Sequence, residues 1–451
     1  MKRFWLVLLT LGLVMAFSTS VFAADVKFTG SFYAAGMYLD NTSFMGNGLD
    51  KPSTAFYYQR MRIQAEFIAT PALKLVTRFD AMERMWGHVR STVPLVTAPD
   101  VDSYGTRAEN ENIAFDYAYV WYASKIGLWE VGIMEDGVWG TVFGDNSEPE
   151  GKIKYTFIKM PFIAGLQIVK FNEFSDNAVN ASIYSDRDVD KYQGFFIFNW
   201  KGGQAGLLGI FINNRSMKPN FGLWPVASSY TQQVYGAQPY VKAKFGPVAV
   251  EAEAWYLTGK VMKWQDEVPV IVRNDIDLSA WSVYVNAVAD FNMFYFGGTF
   301  AYLSGDDPTT TDKIEGGPGT VNGGRDWNPC LIMFNWDRNY WAGAMAGYGA
   351  TADSGVMTNA YFGQLKAGVR PISDLDIALS VAYAKADKLP TGYFEKDYGW
   401  EVDVTATYKI TNNLSYMLGA GYLFTGDYYK AATTNDVEDN FIVLNKLTLT
   451  F

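Results

Sequence analysis

The chain has 451 residues, one histidine, one cysteine and a formal charge of −10. The acidic balance argues against nucleic acid as a partner, because phosphate binding needs a basic face, and a single cysteine excludes an internal disulfide framework. Aromatics make up 16% of the chain beside 42 glycines, and no segment beyond the N-terminus has the apolar run of ~20 residues that a spanning helix needs.

Met1-Lys2-Arg3 opens with positive charge, Phe4 to Phe17 is apolar, and Ser18 to Ala23 is a small-residue exit. That three-part layout predicts a secretory signal peptide over 1–23, cleaved after Ala23, with a single domain over 24–451. Loss of Lys2 and Arg3 moves the formal charge from −10 to about −12.

The next readable segment, Tyr57 to Ala69, alternates. Tyr57, Met61, Ile63, Ala65 and Phe67 share one face with Gln59, while Arg60, Arg62, Gln64 and Glu66 share the other. Leu73, Leu75, Phe79 and Ala81 then oppose Lys74, Arg78, Asp80 and Arg84. Further on, Val241, Ala243 and Phe245 oppose Lys242 and Lys244, and Val250, Ala252, Ala254 and Tyr256 oppose Glu251 and Glu253. Trp400, Val402, Val404 and Ala406 oppose Glu401, Asp403, Thr405 and Thr407. In lipid every backbone polar group must be paired, so a spanning sheet has to close, with its apolar side outward and its polar side toward the lumen.

The connections alternate in length. Tight turns fall at 70–72, 124–127, 160–162, 201–203, 245–247, 290–292, 371–374 and 411–413. Long polar stretches fall at 40–54, 87–111, 135–151, 176–190, 214–230, 260–276, 304–356, 386–397 and 427–438. Short periplasmic turns alternating with long extracellular loops predict an all-β transmembrane antiparallel barrel of about 18 strands, with 16 open if 304–356 lacks a hairpin. Tyr256-Leu257-Thr258-Gly259, Tyr302-Leu303-Ser304-Gly305 and Tyr422-Leu423-Phe424-Thr425-Gly426 each run toward a long loop. An interfacial aromatic followed by a chain-turning glycine accounts for the echo.

Enzymatic readings find little. His88 stands in a long loop with no H-E-x-x-H, no Cys/His metal spacing and no C-x-x-C-H beside it. Glu251 and Glu253 have the residue types of a glycosidase pair but read as lumenal charge balancing nearby lysines. Asp306-Asp307 and Asp100/Asp102 could reach calcium, yet solvated loop charge explains them. No cofactor, metal or catalytic residue is expected.

The chain ends Val443-Leu444-Asn445-Lys446-Leu447-Thr448-Leu449-Thr450-Phe451. This final aromatic with alternating apolar residues resembles the terminal strand signal of bacterial outer-membrane barrels, which implies recognition by the barrel assembly machinery. Gly363-Gln364-Leu365-Lys366-Ala367-Gly368-Val369-Arg370-Pro371, and Gly399 through Ile410 continuing to Gly426-Asp427, resemble the large porins related to alginate-export channels. Gly132 to Gly140 resembles the porin strand leading into a loop that folds back into the lumen.

The resemblance implies a channel in the outer membrane, bounded by lipid and lipopolysaccharide and compatible with a homotrimer. Small hydrophilic solutes would diffuse through a lumen lined by Arg60, Arg62, Glu66, Arg78, Asp80, Arg84, Lys242, Lys244, Glu251, Glu253, Glu401 and Asp403. Asp136, Asp145, Glu148 and Glu150 would sit on the constriction loop. Two outcomes stay open for the arginines: a basic ladder giving weak anion preference, or neutralisation by Glu66 and Asp80. Two other functions stay open as well: a sheath around a periplasmic electron-transfer protein, and a barrel-based adhesin or enzyme.

Overall fold

The computed structural model describes residues 25–46, 53–87, 113–173, 187–217, 229–264 and 274–451. The 1–23 leader, His88 and the Asp100/Asp102 pair lie outside them.

Eighteen long strands form the wall among the described residues. They are β1 (Asp25–Leu39), β2 (Thr54–Thr70), β3 (Leu73–Met85), β4 (Ile113–Ser124), β5 (Gly127–Asp136), β6 (Glu148–Lys159), β7 (Phe162–Asn172), β8 (Val189–Trp200) and β9 (Gly203–Asn214). The second half comprises β10 (Tyr230–Phe245), β11 (Val248–Trp264), β12 (Ile276–Asp290), β13 (Phe294–Leu303), β14 (Ala360–Ile372), β15 (Leu375–Ala386), β16 (Asp397–Lys409), β17 (Leu414–Thr425) and β18 (Asn440–Thr450). Each pairs antiparallel with its chain neighbours, and β1 also pairs with β18, from Ser31↔Thr450 to Leu39↔Ile442. Among the described residues the wall is closed, with neither of its edges left unpaired.

Alternation sorts the side chains as expected. Tyr57, Phe67, Leu75, Phe115, Leu166, Phe245, Leu365, Trp400 and Val404 are exposed on the outer face, where lipid rather than water would meet them. Aromatics gather at both strand ends. Phe162, Phe198 and Trp200 stand by the short turns, while Tyr57–Trp86, Tyr256–Trp281, Tyr302–Tyr361 and Tyr383–Trp400 pack in pairs near the long loops. Two such girdles are what a barrel needs at two membrane interfaces.

The repeated Tyr-Leu…Gly echo has a different cause from the one expected. Tyr256, Tyr302 and Tyr422 do sit in the outer aromatic band, and Gly259 has a positive φ of 131° within β11, but Gly305 and Gly426 keep negative φ and do not turn the chain. Instead a Cβ on Gly305 would lie 1.8 Å from Asn359 Oδ1, and one on Gly426 would lie 2.1 Å from the Asp397 carbonyl oxygen. These glycines allow neighbouring backbone and side chains to approach.

Part of the 304–356 stretch is not an outward polar loop. Cys330-Leu331-Ile332-Met333-Phe334 is apolar and buried or nearly so, and it packs with Trp327, Trp341, Phe143, Tyr284 and Phe362. These partners come from the inward faces of β12 and β14 and from other inserted segments, so the main hydrophobic core lies inside the barrel. The helix α1 (Trp336–Ala342) continues this insert and is capped by Asn335, whose side chain accepts the Arg338 N–H.

Candidate functional site

The interior has two unlike walls. On β2 to β4 the inward side chains are charged. Arg62 donates to both Asp80 oxygens at 2.7 and 2.6 Å and lies 3.7 Å from Asp116. Arg78 donates to Asp116 at 2.5 Å and lies over the Tyr117 ring at 3.5 Å. Arg60 reaches Glu83 at 3.4 Å and Lys74 reaches Glu66 at 2.9 Å. The set Arg60, Arg62, Lys74 and Arg78 is therefore matched by Glu66, Asp80, Glu83 and Asp116. Sequence reasoning missed Glu83 and Asp116. Asp116 is exposed as a partner by a register shift between Arg78 and Phe79, which lets both Asp116 and Tyr117 reach the Arg78 side chain.

Arg84 does not join this set. Met82 has φ 53° and the β2–β3 register slips between Gln59 and Met61. A bulge of one residue exchanges the faces of everything beyond it. Arg84 consequently pairs with Gln59, on the same face as Trp86, whose ring stacks on outward Tyr57.

The connection from β5 to β6 runs against β10, β11 and β12. Trp139 Nε1 donates to the Gln238 carbonyl at 2.9 Å, and the Thr141 N–H donates to Glu253 Oε2 at 2.6 Å. Phe143 stacks on Tyr284 at 4.8 Å and 7°. Glu253 is buried; it also accepts from Gln238 and Trp255, so it anchors the connection rather than facing open lumen. Its neighbour Glu251 accepts from Asn286 at 3.1 Å. Lys242 and Lys244 lie near the short turns, beside Glu251, around a recess they share with Gly202 and Gly203.

The four loop acids separate. Asp136 is buried between Lys152 and Lys191, paired with both. Glu148 pairs with Arg325. Glu150 lies within β6 opposite Met134, and the register ends at Glu148 opposite Asp136, so of the four acids expected on the constriction loop only Asp145 stands in the connection itself. Asp145 accepts the Trp139 N–H at 2.8 Å. Burial pushes its carboxyl up to about 7, the Trp139 N–H opposes that shift, and Glu253 and Asp326 add to it.

The second insert meets the first. The Gly324 N–H donates to the Phe143 carbonyl at 2.6 Å, and the Asp326 N–H donates to the Asp145 carbonyl at 3.0 Å. Its apolar run is held from β16: Glu401, with no exposed surface, accepts the Ile332 and Met333 N–H groups at 2.6 and 2.7 Å. Asp403 lies beside it and accepts from Ser380. Glu401 and Asp403 thus face the interior but are covered by the insert. The pair Arg338–Asp353, 3.3 Å apart and almost fully buried, fixes α1 to the chain behind it. The signal for this insert was present in the sequence: five consecutive apolar residues and three tryptophans within a stretch otherwise rich in Gly, Asp and Asn.

Among the described residues, one group has ligand atoms close enough for a metal: Cys330, Glu401 and Asp403. Both Glu401 oxygens are already occupied by backbone N–H groups, so the cluster serves as a loop anchor. At the outer face, Asp307 pairs with Lys388 and accepts from Thr309, while Asp306 accepts the Glu315 N–H. Those two acids fold their own loop.

No family model matches the chain, and no curated protein matches it. Among solved structures it is similar to OccK11 (OpdR) of Pseudomonas aeruginosa, with 12% identity over 95% of this chain and 96% of that one and a TM-score of 0.50. It is similar also to the outer membrane protein opdK of Pseudomonas aeruginosa, with 12% identity over 94% of this chain and 99% of that one and a TM-score of 0.50. At this identity the likeness establishes a shared fold, the closed antiparallel barrel.

Proposed function

We propose that the protein is an outer-membrane porin, through which small hydrophilic solutes diffuse passively along a water-filled path narrowed by the 137–147 connection. The observation that carries the reading is the asymmetry of the interior. The two inserts cover the inward faces of β10 to β12, β14 and β16, and α1 reaches across to Tyr58 on β2 through Trp341, yet Arg60 and Arg62 on β2 keep 31% and 29% of their side-chain surface accessible inside a closed wall. Charged groups that stay wet in a barrel interior line a water path. Two inserts tied to each other and to the opposite wall define a bounded slot rather than a wide bore.

The reading places the barrel in the outer membrane with lipopolysaccharide and lipid around its aromatic girdles. Its last strand, paired to β1 through Phe451 and Gly30, is the part offered to the assembly machinery, and a homotrimer is compatible with the fold. It assigns no catalytic step. Liposome swelling tests it directly: proteoliposomes in isotonic arabinose should swell faster than protein-free vesicles, and rates should fall steeply for larger saccharides. Equal rates with and without folded protein would refute the reading.

A further inference from the structure

Beside the inward connection, the wall from β5 to β11 holds a recess of about 340 Å³, a volume within the range of small-molecule sites. Its polar lining is Thr156, Gln167, Gln193 and Gln238, and the indoles of Trp139 and Trp255 supply apolar surface.

The lining has no spare positive charge. Lys152 is paired with Asp136 and Lys154 with Glu130 at 3.3 Å, while Glu135, without a cation partner among the described residues, accepts the Tyr117 hydroxyl at 3.0 Å. The lining does have spare hydrogen-bonding capacity. Thr156 Oγ1 and Gln238 Oε1 are buried without a partner, on residues only 7% and 1% exposed. Buried polar atoms are nearly always paired, so an unmatched donor–acceptor and an unmatched acceptor in one recess point to a ligand that matches them. A carboxylate solute would need an unpaired cation, and the recess has none. Glu135 is engaged by Tyr117, and the two unmatched atoms are a neutral hydroxyl and a neutral amide oxygen, which hydroxyl groups match because each both donates and accepts. Indole surfaces in turn suit the C–H faces of a ring that carries such hydroxyls.

We infer that this recess is a subsite for a neutral polyhydroxylated solute of monosaccharide size, held in transit through the channel. The inference rests on the diffusion reading for its role but not for its binding. The subsite is weak by design, since a conducting site must release what it binds.

The test is saturation-transfer NMR on the folded, detergent-solubilised full chain, titrated with D-glucose and, separately, with D-glucuronate. Glucose should give a saturable signal, glucuronate a signal at least fivefold weaker, and Thr156→Val, which keeps the side-chain shape, should raise the glucose half-saturation at least fivefold. Heat-modifiable electrophoretic migration of the same variant should match that of the parent, which shows that it folds. A glucose signal that rises linearly, glucuronate binding as tightly as glucose, or an unmoved half-saturation in Thr156→Val would each overturn the subsite. Absence of channel current in the folded parent with saturable glucose binding intact would instead overturn the diffusion reading alone.

Discussion

Arg62 and Arg78 show how much of the interior rests on single pairs. Each arginine on the β2–β4 wall has a carboxylate within 3.4 Å, so the wall is close to neutral and its selectivity should be weak. Replacing Arg62 and Arg78 together by Glu would add two acids beside Asp80 and Asp116 and remove both counter-charges. Across a tenfold KCl gradient the parent should reverse near zero, and the Arg62→Glu/Arg78→Glu double variant should shift clearly toward cation preference; an unchanged potential would show that the solute path avoids this wall. The alternation of Tyr57 to Phe67 and Leu73 to Asp80 was legible because it follows from a period of two. The place of Arg84 was not, since one residue in a left-handed conformation at Met82 inverts the alternation without any compositional mark. Asp145 gives a pH signature. Its carboxyl is raised to about 7 in the connection, outside the strands, against an unfolded value near 4. The neutral acid is the form the folded connection favours, so the stability it contributes is complete below about pH 4 and is lost as pH rises through about 7. Asp145→Asn, which can still accept the Trp139 N–H, should remove that loss. The gap in unfolding temperature between Asp145→Asn and parent should widen from pH 5 to pH 8; a constant gap would contradict the assignment.

At the scale of elements, strands and turns were readable and the inserts were not. A turn such as Asn412-Asn413 between β16 and β17, or Phe245-Gly246-Pro247 between β10 and β11, carries its own chemistry in a few residues. The 304–356 stretch instead mixes solvated turns with Cys330–Phe334, and only the tertiary partner, Glu401 on β16, decides which part goes inside. Glu401 itself looked like lumenal charge because its face is inward; that its two oxygens bind backbone N–H groups cannot be read from alternation. Glu401→Ala should strand two buried N–H groups, each costing roughly 1–3 kcal/mol. Hydrogen exchange at Ile332 and Met333 should then accelerate by at least tenfold while exchange in β16 and β17 stays slow. Unchanged protection at those two amides would mean that apolar packing alone seats the insert.

For the whole molecule, closure is the organising fact. The pairing of β1 with β18 removes both edges, and it commits every inward side chain to a shared interior that must be either packed or wet. The chain does both. Phe143, Trp327, Ile332 and Phe362 build a core that extends to Tyr33 on β1 and Tyr58 on β2, and on β2 the Arg60 and Arg62 side chains stay partly accessible beside it. Strand number and antiparallel order followed from counting turns and loops. The division of the interior did not, because it depends on contacts such as Phe143–Tyr284 and Gly324–Phe143, which join positions far apart in the chain. The central claim is that a continuous water path remains beside the packed half. Single-channel recording of the folded full chain in a planar bilayer tests this most directly. Stepwise, ohmic current in KCl is the predicted result, and the absence of discrete openings from protein shown to be inserted and folded would contradict it.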